Sequence, residues 1–140
     1  MLRRITSTHK TWATVPLRLA LGLIFIAHGA QKVFGAFGGK GLSAFINGPA
    51  PLGLWPSWVW LSTAAFSELI GGVLVLLGLF TRVGATAIAG VMAVAILGVH
   101  RNSFFLTHGG MEFALANLCM AITLIYLGGG KLSVDANLRM

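Results

Sequence analysis

Acidic side chains are almost missing from this 140-residue chain: Glu68, Glu112 and Asp135 are the only three. Charged residues of both signs make up 9% of it, where a soluble domain carries about 25%. So sparse a charge cannot keep a surface of this size in water. With 56% hydrophobic residues and a mean hydropathy of +0.87, the composition is that of an integral membrane protein. The single cysteine, Cys119, excludes an internal disulfide and a CxxC redox pair. In its apolar run it reads as a small core residue. The scarcity of acids leaves a formal net charge of +7. In a membrane chain that excess bears on topology and on anionic lipid at the cytoplasmic face. The basic residues are not interleaved with aromatics on a polar face, so a nucleic-acid surface is not expected.

What remains is a series of apolar runs separated by glycine, proline and charge. An all-α fold is expected, a bundle of four transmembrane helices over about residues 14–34, 57–80, 82–99 and 112–128. Residues 1–13 form a basic N-terminal segment. The run that follows ends in His28-Gly-Ala-Gln-Lys32, without a small-x-small cleavage site in a polar setting, so a retained first helix is expected. Thr14 suits its N-cap and Pro16 its first turn. Residues 35–56 hold too many glycines and prolines for a long helix. Phe37, Leu42, Phe45, Ile46, Leu54 and Trp55 in that stretch still need burial. A folded loop at the membrane interface is therefore expected between helices one and two, with a short helix near residues 42–46. Trp55, Trp58 and Trp60 mark an aromatic belt at the entry of the second helix. The break at Gly78-Leu-Phe-Thr81 allows only a tight helical hairpin, so helices two and three are antiparallel neighbours. A tail, residues 131–140, closes the chain.

Four spans put both termini on one side. That side collects Arg3, Arg4, Lys10, Arg18, Arg82, Lys131 and Arg139, against Lys32, Lys40 and Arg101 opposite. The asymmetry predicts cytoplasmic termini.

Glu68 carries the most information, because it falls near the middle of an apolar run. An ionised carboxylate at that depth costs several kcal/mol unless it is paired, hydrogen-bonded or protonated. At about 1.5 Å per residue, His28 lies roughly 21 Å into the first helix, Glu68 roughly 18 Å into the second and Asn117 roughly 18 Å into the fourth. Lys32 sits one turn above His28 on the same face, and Gln31 extends that face. His28 is the expected partner of Glu68, with Lys32 and Asn117 next. Two readings of this layer stand open. It handles protons or holds a quinone head group, with Glu68 and His28 as candidate catalytic groups, or it is a hydrogen-bond network that fixes helix packing.

Arg18, about one turn inside the membrane, is expected to snorkel to cytoplasmic phosphates, with an inward pair to Glu68 as the alternative. Arg82 is expected at lipid headgroups on the same side. His100, His108 and Glu112 gather in the loop before the fourth helix. They are weak metal candidates, because Gly109-Gly110 breaks the helix that would align His108 with Glu112. No metal is expected.

Several stretches taken together resemble the DoxX family of small four-helix bacterial membrane proteins. They are Arg18-Leu-Ala-Leu-Gly22, His28-Gly-Ala-Gln-Lys32-Val-Phe-Gly-Ala-Phe-Gly-Gly39, Glu68-Leu-Ile-Gly-Gly72, Leu77-Gly-Leu-Phe-Thr-Arg82, Gly109-Gly-Met-Glu112 and Gly128-Gly-Gly-Lys-Leu-Ser-Val-Asp135. The resemblance implies a bundle in the bacterial inner membrane and a redox setting. A related family, DoxD, supplies the membrane subunit of a thiosulfate:quinone oxidoreductase. The chain has no redox-cofactor motif of its own. The expectation is an accessory or structural subunit of a larger membrane complex, or a homo-oligomer, without an intrinsic cofactor. The alternative is a quinone-interacting subunit of an oxidoreductase.

Overall fold

The structure, a computed structural model, describes residues 1–138; Arg139 of the basic tail lies outside them. It is all-helical, with α1 Leu2–Ile5, α2 Thr14–Val33, α3 Leu42–Ile46, α4 Ser57–Leu77, α5 Thr81–Gly98, α6 Glu112–Leu127 and α7 Val134–Asn137. Single 3-10 turns lie at Ala36–Gly38, Pro51–Gly53 and Leu106–His108. Three helices, α2, α4 and α5, are long and apolar enough to cross a membrane; α6 is apolar but has 16 residues.

The helices pack in the order α2, α4, α5, α6, and α6 returns to α2. Glycine sets the α2–α4 contact. A Cβ on Gly29 would stand 2.5 Å from the Leu69 nitrogen, and one on Gly72 would stand 2.7 Å from the Ile26 nitrogen. Only glycine lets the two backbones come this close. Inside, Leu21, Phe25, Val75, Ile88, Met92 and Leu124 form the centre of the core. Outside, Leu19, Leu23, Ile70, Val83, Leu97 and Tyr126 remain exposed, so the outer faces of the helices are apolar too. That distribution suits a hydrocarbon surround.

The end of the bundle that carries both termini is closed by Arg18 and Asp135. Arg18 is 6% exposed. Its Nε donates to the Val75 carbonyl at 3.1 Å and its Nη2 to that of Leu76 at 3.0 Å. Both lie in the last turn of α4, where the Val75 carbonyl also accepts from the Gly78 amide at 3.1 Å. Its Nη1 donates to the carbonyls of Gly129, Lys131 and Leu132. The expectation that Arg18 snorkels to phosphate is therefore corrected, as is its alternative pair with Glu68. The guanidinium is taken up by carbonyls at the end of α4 and in the 129–132 stretch. Asp135 is buried as well. It accepts from the Phe80 and Thr81 amides at 2.8 and 2.9 Å and from the Thr81 hydroxyl at 2.8 Å, capping α5 from the far end of the chain. Phe80 is held at φ 45°, an unfavourable region for a residue with a Cβ, and the Asp135 contact stabilises it there.

Thr14 lies inside α2 rather than capping it, and its hydroxyl donates to the Gly129 carbonyl at 2.9 Å. Arg82 also turns to protein: Nε donates to the Ser7 carbonyl and Nη2 to that of Tyr126, each at 3.0 Å. Those donors are therefore not available to headgroups. Cys119, expected in the core, is exposed on α6.

Candidate functional site

A cavity of about 680 Å³ lies between the helices toward the end away from the termini. Phe25, His28 and Lys32 of α2 form one wall, Trp60 and Glu68 of α4 another, and Phe113 of α6 a third. Trp60, expected in an interfacial belt with Trp55 and Trp58, also contributes to this wall while remaining 46% exposed. Phe45 of α3 and Pro49, Pro51 and Leu54 cover the cavity from the 35–56 connection. That connection is anchored where Pro51 meets Gly98; a Cβ on Gly98 would come within 2.7 Å of the proline side chain.

The polar feature of the wall is a close ion pair. Lys32 Nζ donates to Glu68 Oε1 at 2.6 Å and also to Oε2. The Glu68 side chain is 3% exposed and that of Lys32 26% exposed, and both residues line the cavity. The ammonium also stands 5.5 Å from the centre of the Phe45 ring, a cation–π distance. An ammonium has three donors, and its hydrogen bonds among the described residues both go to the carboxylate. In this apolar setting the pair persists because each charge removes the cost of burying the other.

The structure places the other expected members of the layer differently. His28 is not hydrogen-bonded to Glu68; its ring lies 6.5 Å from that of Phe25 and 5.9 Å from that of Phe113, open to the cavity. Asn117 is 1% exposed, and its Nδ2 donates to the Phe113 carbonyl at 2.9 Å within α6, while its Oδ1 has no partner among the described residues. It does not reach Glu68. Gln31 turns toward the connection, where Nε2 lies 3.5 Å from the Phe37 carbonyl.

The three loop residues are occupied locally. His100 Nδ1 meets the Gly109 carbonyl at 2.7 Å, Glu112 Oε1 accepts from the Leu106 amide at 2.8 Å, and His108 Nδ1 lies 3.3 Å from the Thr107 hydroxyl. Among the described residues no group of three His, Cys, Asp or Glu side chains could hold a metal ion. Sequence reasoning missed the aromatic members, Phe45 and Phe113. A signal was there in Phe45, an aromatic residue in a glycine-rich loop, but its partner depends on how the loop folds back.

The DoxX family model matches residues 13–101, which contain Arg18, His28, Lys32 and Glu68 and end before α6. The chain belongs to the DoxX family. A Bacillus subtilis (strain 168) protein named "Putative oxidoreductase CatD" is 35% identical over 122 residues, which cover 87% of this chain and 84% of that one. An "Uncharacterized protein" of Haemophilus influenzae is 29% identical over 127 residues, covering 85% of each chain. No solved structure matches this DoxX protein. Its membership, its apolar outer surface and its long apolar helices make it a membrane protein.

Proposed function

We propose that this DoxX protein is a membrane-embedded accessory subunit of a redox complex and that its cavity receives a quinone-class head group. One observation carries the reading: an ion pair, Lys32–Glu68, set in the wall of an aromatic cavity of about 680 Å³. The volume lies in the range of small-molecule sites, and such sites are mostly apolar with a few placed polar groups. The residues fit the group. Aromatic walls suit a flat ring, and the Lys32 ammonium suits a neutral carbonyl. The pair is internally neutralised, which disfavours a charged ligand. The name of the Bacillus subtilis relative points to the same redox setting.

A bound quinone would supply two-electron carbonyl–hydroxyl chemistry, with electrons from a partner. This chain's residues would do the rest. Lys32 would present its Nζ to the ring carbonyl, Glu68 orients that Nζ, and His28 offers a second hydrogen-bonding group on the same wall. Phe45 and the two prolines narrow the access of water to the pair.

In this reading all four long helices cross the bacterial inner membrane, α6 included, with the 35–56 connection at the outer interface. Both termini are cytoplasmic, next to anionic lipid. With Arg18 turned inward and Lys32 paired, Arg3, Arg4, Lys10, Arg82 and Lys131 still outnumber Lys40 and Arg101. The test is extraction of the purified protein in mild detergent, with mass spectrometry of bound quinone, and titration with a soluble quinone followed by Trp fluorescence. Saturable quenching, weakened about tenfold or more by Lys32→Met, is expected from loss of a charged hydrogen bond. No saturable binding would sink the ligand reading.

A further inference from the structure

We infer that the ligand of the Lys32–Glu68 cavity carries a hydrocarbon chain that leaves sideways between α4 and α5 and lies along the outer face of that pair. This rests on the reading that the cavity holds a quinone-class head group. A second hollow, a crevice of about 440 Å³, runs beside α4 and α5 and is lined by Phe66, Ile70, Leu74, Val83 and Ala87 among others. Thr63, Ser67 and Ala87 line both the crevice and the cavity, so the two hollows are neighbours with only these side chains between them. A third hollow of about 520 Å³, at Arg4 and Arg82, shares Val83 and Ala87 with the crevice. The path thus runs from the ion pair, across an apolar stretch, toward the basic end of the bundle.

Packing explains why the space is there. Gly71 and Gly84 bring the helices together, a Cβ on Gly84 standing 2.9 Å from the Gly71 carbonyl oxygen. Farther along α5, Ala87 and Gly90 fill little of the gap, and a Cβ on Gly90 would meet nothing within 4 Å. Two features say what the crevice takes. It faces outward beside exposed Phe66, Ile70 and Val83, which is the lipid side of the bundle. Meanwhile Phe45, Pro49, Pro51 and Leu54 cover the cavity at its other end. The crevice carries three hydroxyls, Ser62, Thr63 and Ser67, among seven residues without a polar side chain, and Thr63 Oγ1 donates to the Val59 carbonyl at 2.8 Å. From Thr63 to Leu74 the crevice follows α4 for about 16 Å, at about 1.5 Å per residue, room for a long chain.

The experiment compares two ligands, a benzoquinone bearing a decyl chain and the same ring bearing a methyl group. Binding is titrated on the full chain in nanodiscs for the wild type, Ile70→Trp and Val83→Trp. Both positions are exposed and line the crevice but not the cavity, so the variants fill the path without touching the ion pair. The decyl compound should lose about tenfold in affinity in each variant, the loss expected when about two methylenes are displaced. The methyl compound should bind all three proteins equally, which also shows that the variants are folded. Unchanged decyl binding in both variants overturns the chain path while leaving the head-group site standing. Equal loss of both compounds overturns it too, because the crevice then does not discriminate chain from ring. If neither compound binds the wild type, the cavity reading fails and this inference with it.

Discussion

Removing Lys32 would leave the Glu68 carboxylate alone in a wall of apolar side chains. Breaking a buried pair from one side costs about 3–5 kcal/mol, whereas replacing both partners by apolar groups is often near neutral. Lys32→Met should therefore lower the thermal stability of the detergent-solubilised protein strongly, and Lys32→Met with Glu68→Leu should recover most of the loss. A double variant no more stable than the single would mean that Glu68 is not held as an unpaired charge. Glu68→Gln keeps the side-chain shape and should fold, so its effect on quinone binding reads the charge alone. At this scale the sequence was informative about cost and silent about partner. Glu68 announced itself as one of three acids, placed mid-helix. That Lys32 and not His28 reaches it depends on the rotation of α2 and on the close α2–α4 crossing at Gly29 and Gly72.

Helix ends show the same division. The break at Gly78 was legible, because a glycine followed by a short hairpin leaves few other conformations; Gly78 sits at φ 67°. What completes that break was not, since Asp135 lies 54 residues beyond Thr81. Asp135→Ala should remove the cap on α5 and cost about 1–2 kcal/mol. Hydrogen exchange checks this locally: the Phe80 and Thr81 amides should exchange faster, with α2 little affected. Equal exchange in variant and wild type would mean that the cap contributes nothing. Arg18 belongs to the same closure. Its depth suggested snorkelling, but carbonyls at the end of α4 and in the tail, each with acceptor capacity to spare, compete for its donors, and in an apolar surround they win.

For the whole molecule, reporter fusions after Leu138 and within the connection at Lys40 should mark opposite compartments, with the C-terminal one cytoplasmic. Fusions on the same side would remove α6 as a span. By itself the sequence determined the apolar surround and the helical class, because hydrophobic run length and glycine or proline breaks act locally along the chain. The second helix, expected to 80, nevertheless stops at Leu77. The short helix Leu42–Ile46 and the starts of α4 and α6 fall where those breaks put them. Membership of the DoxX family was legible too, from motifs in order. Tertiary structure decided everything that depends on distance across the chain: the Lys32–Glu68 pair, the Phe45 cover, the cap from Asp135 and the crevice that shares Ala87 with the cavity. The physical reason is that a polar group in an apolar interior must find a partner, while hydropathy records only that it needs one. Which partner it finds depends on helix rotation, close approach and loop closure, and these arise only when the helices pack.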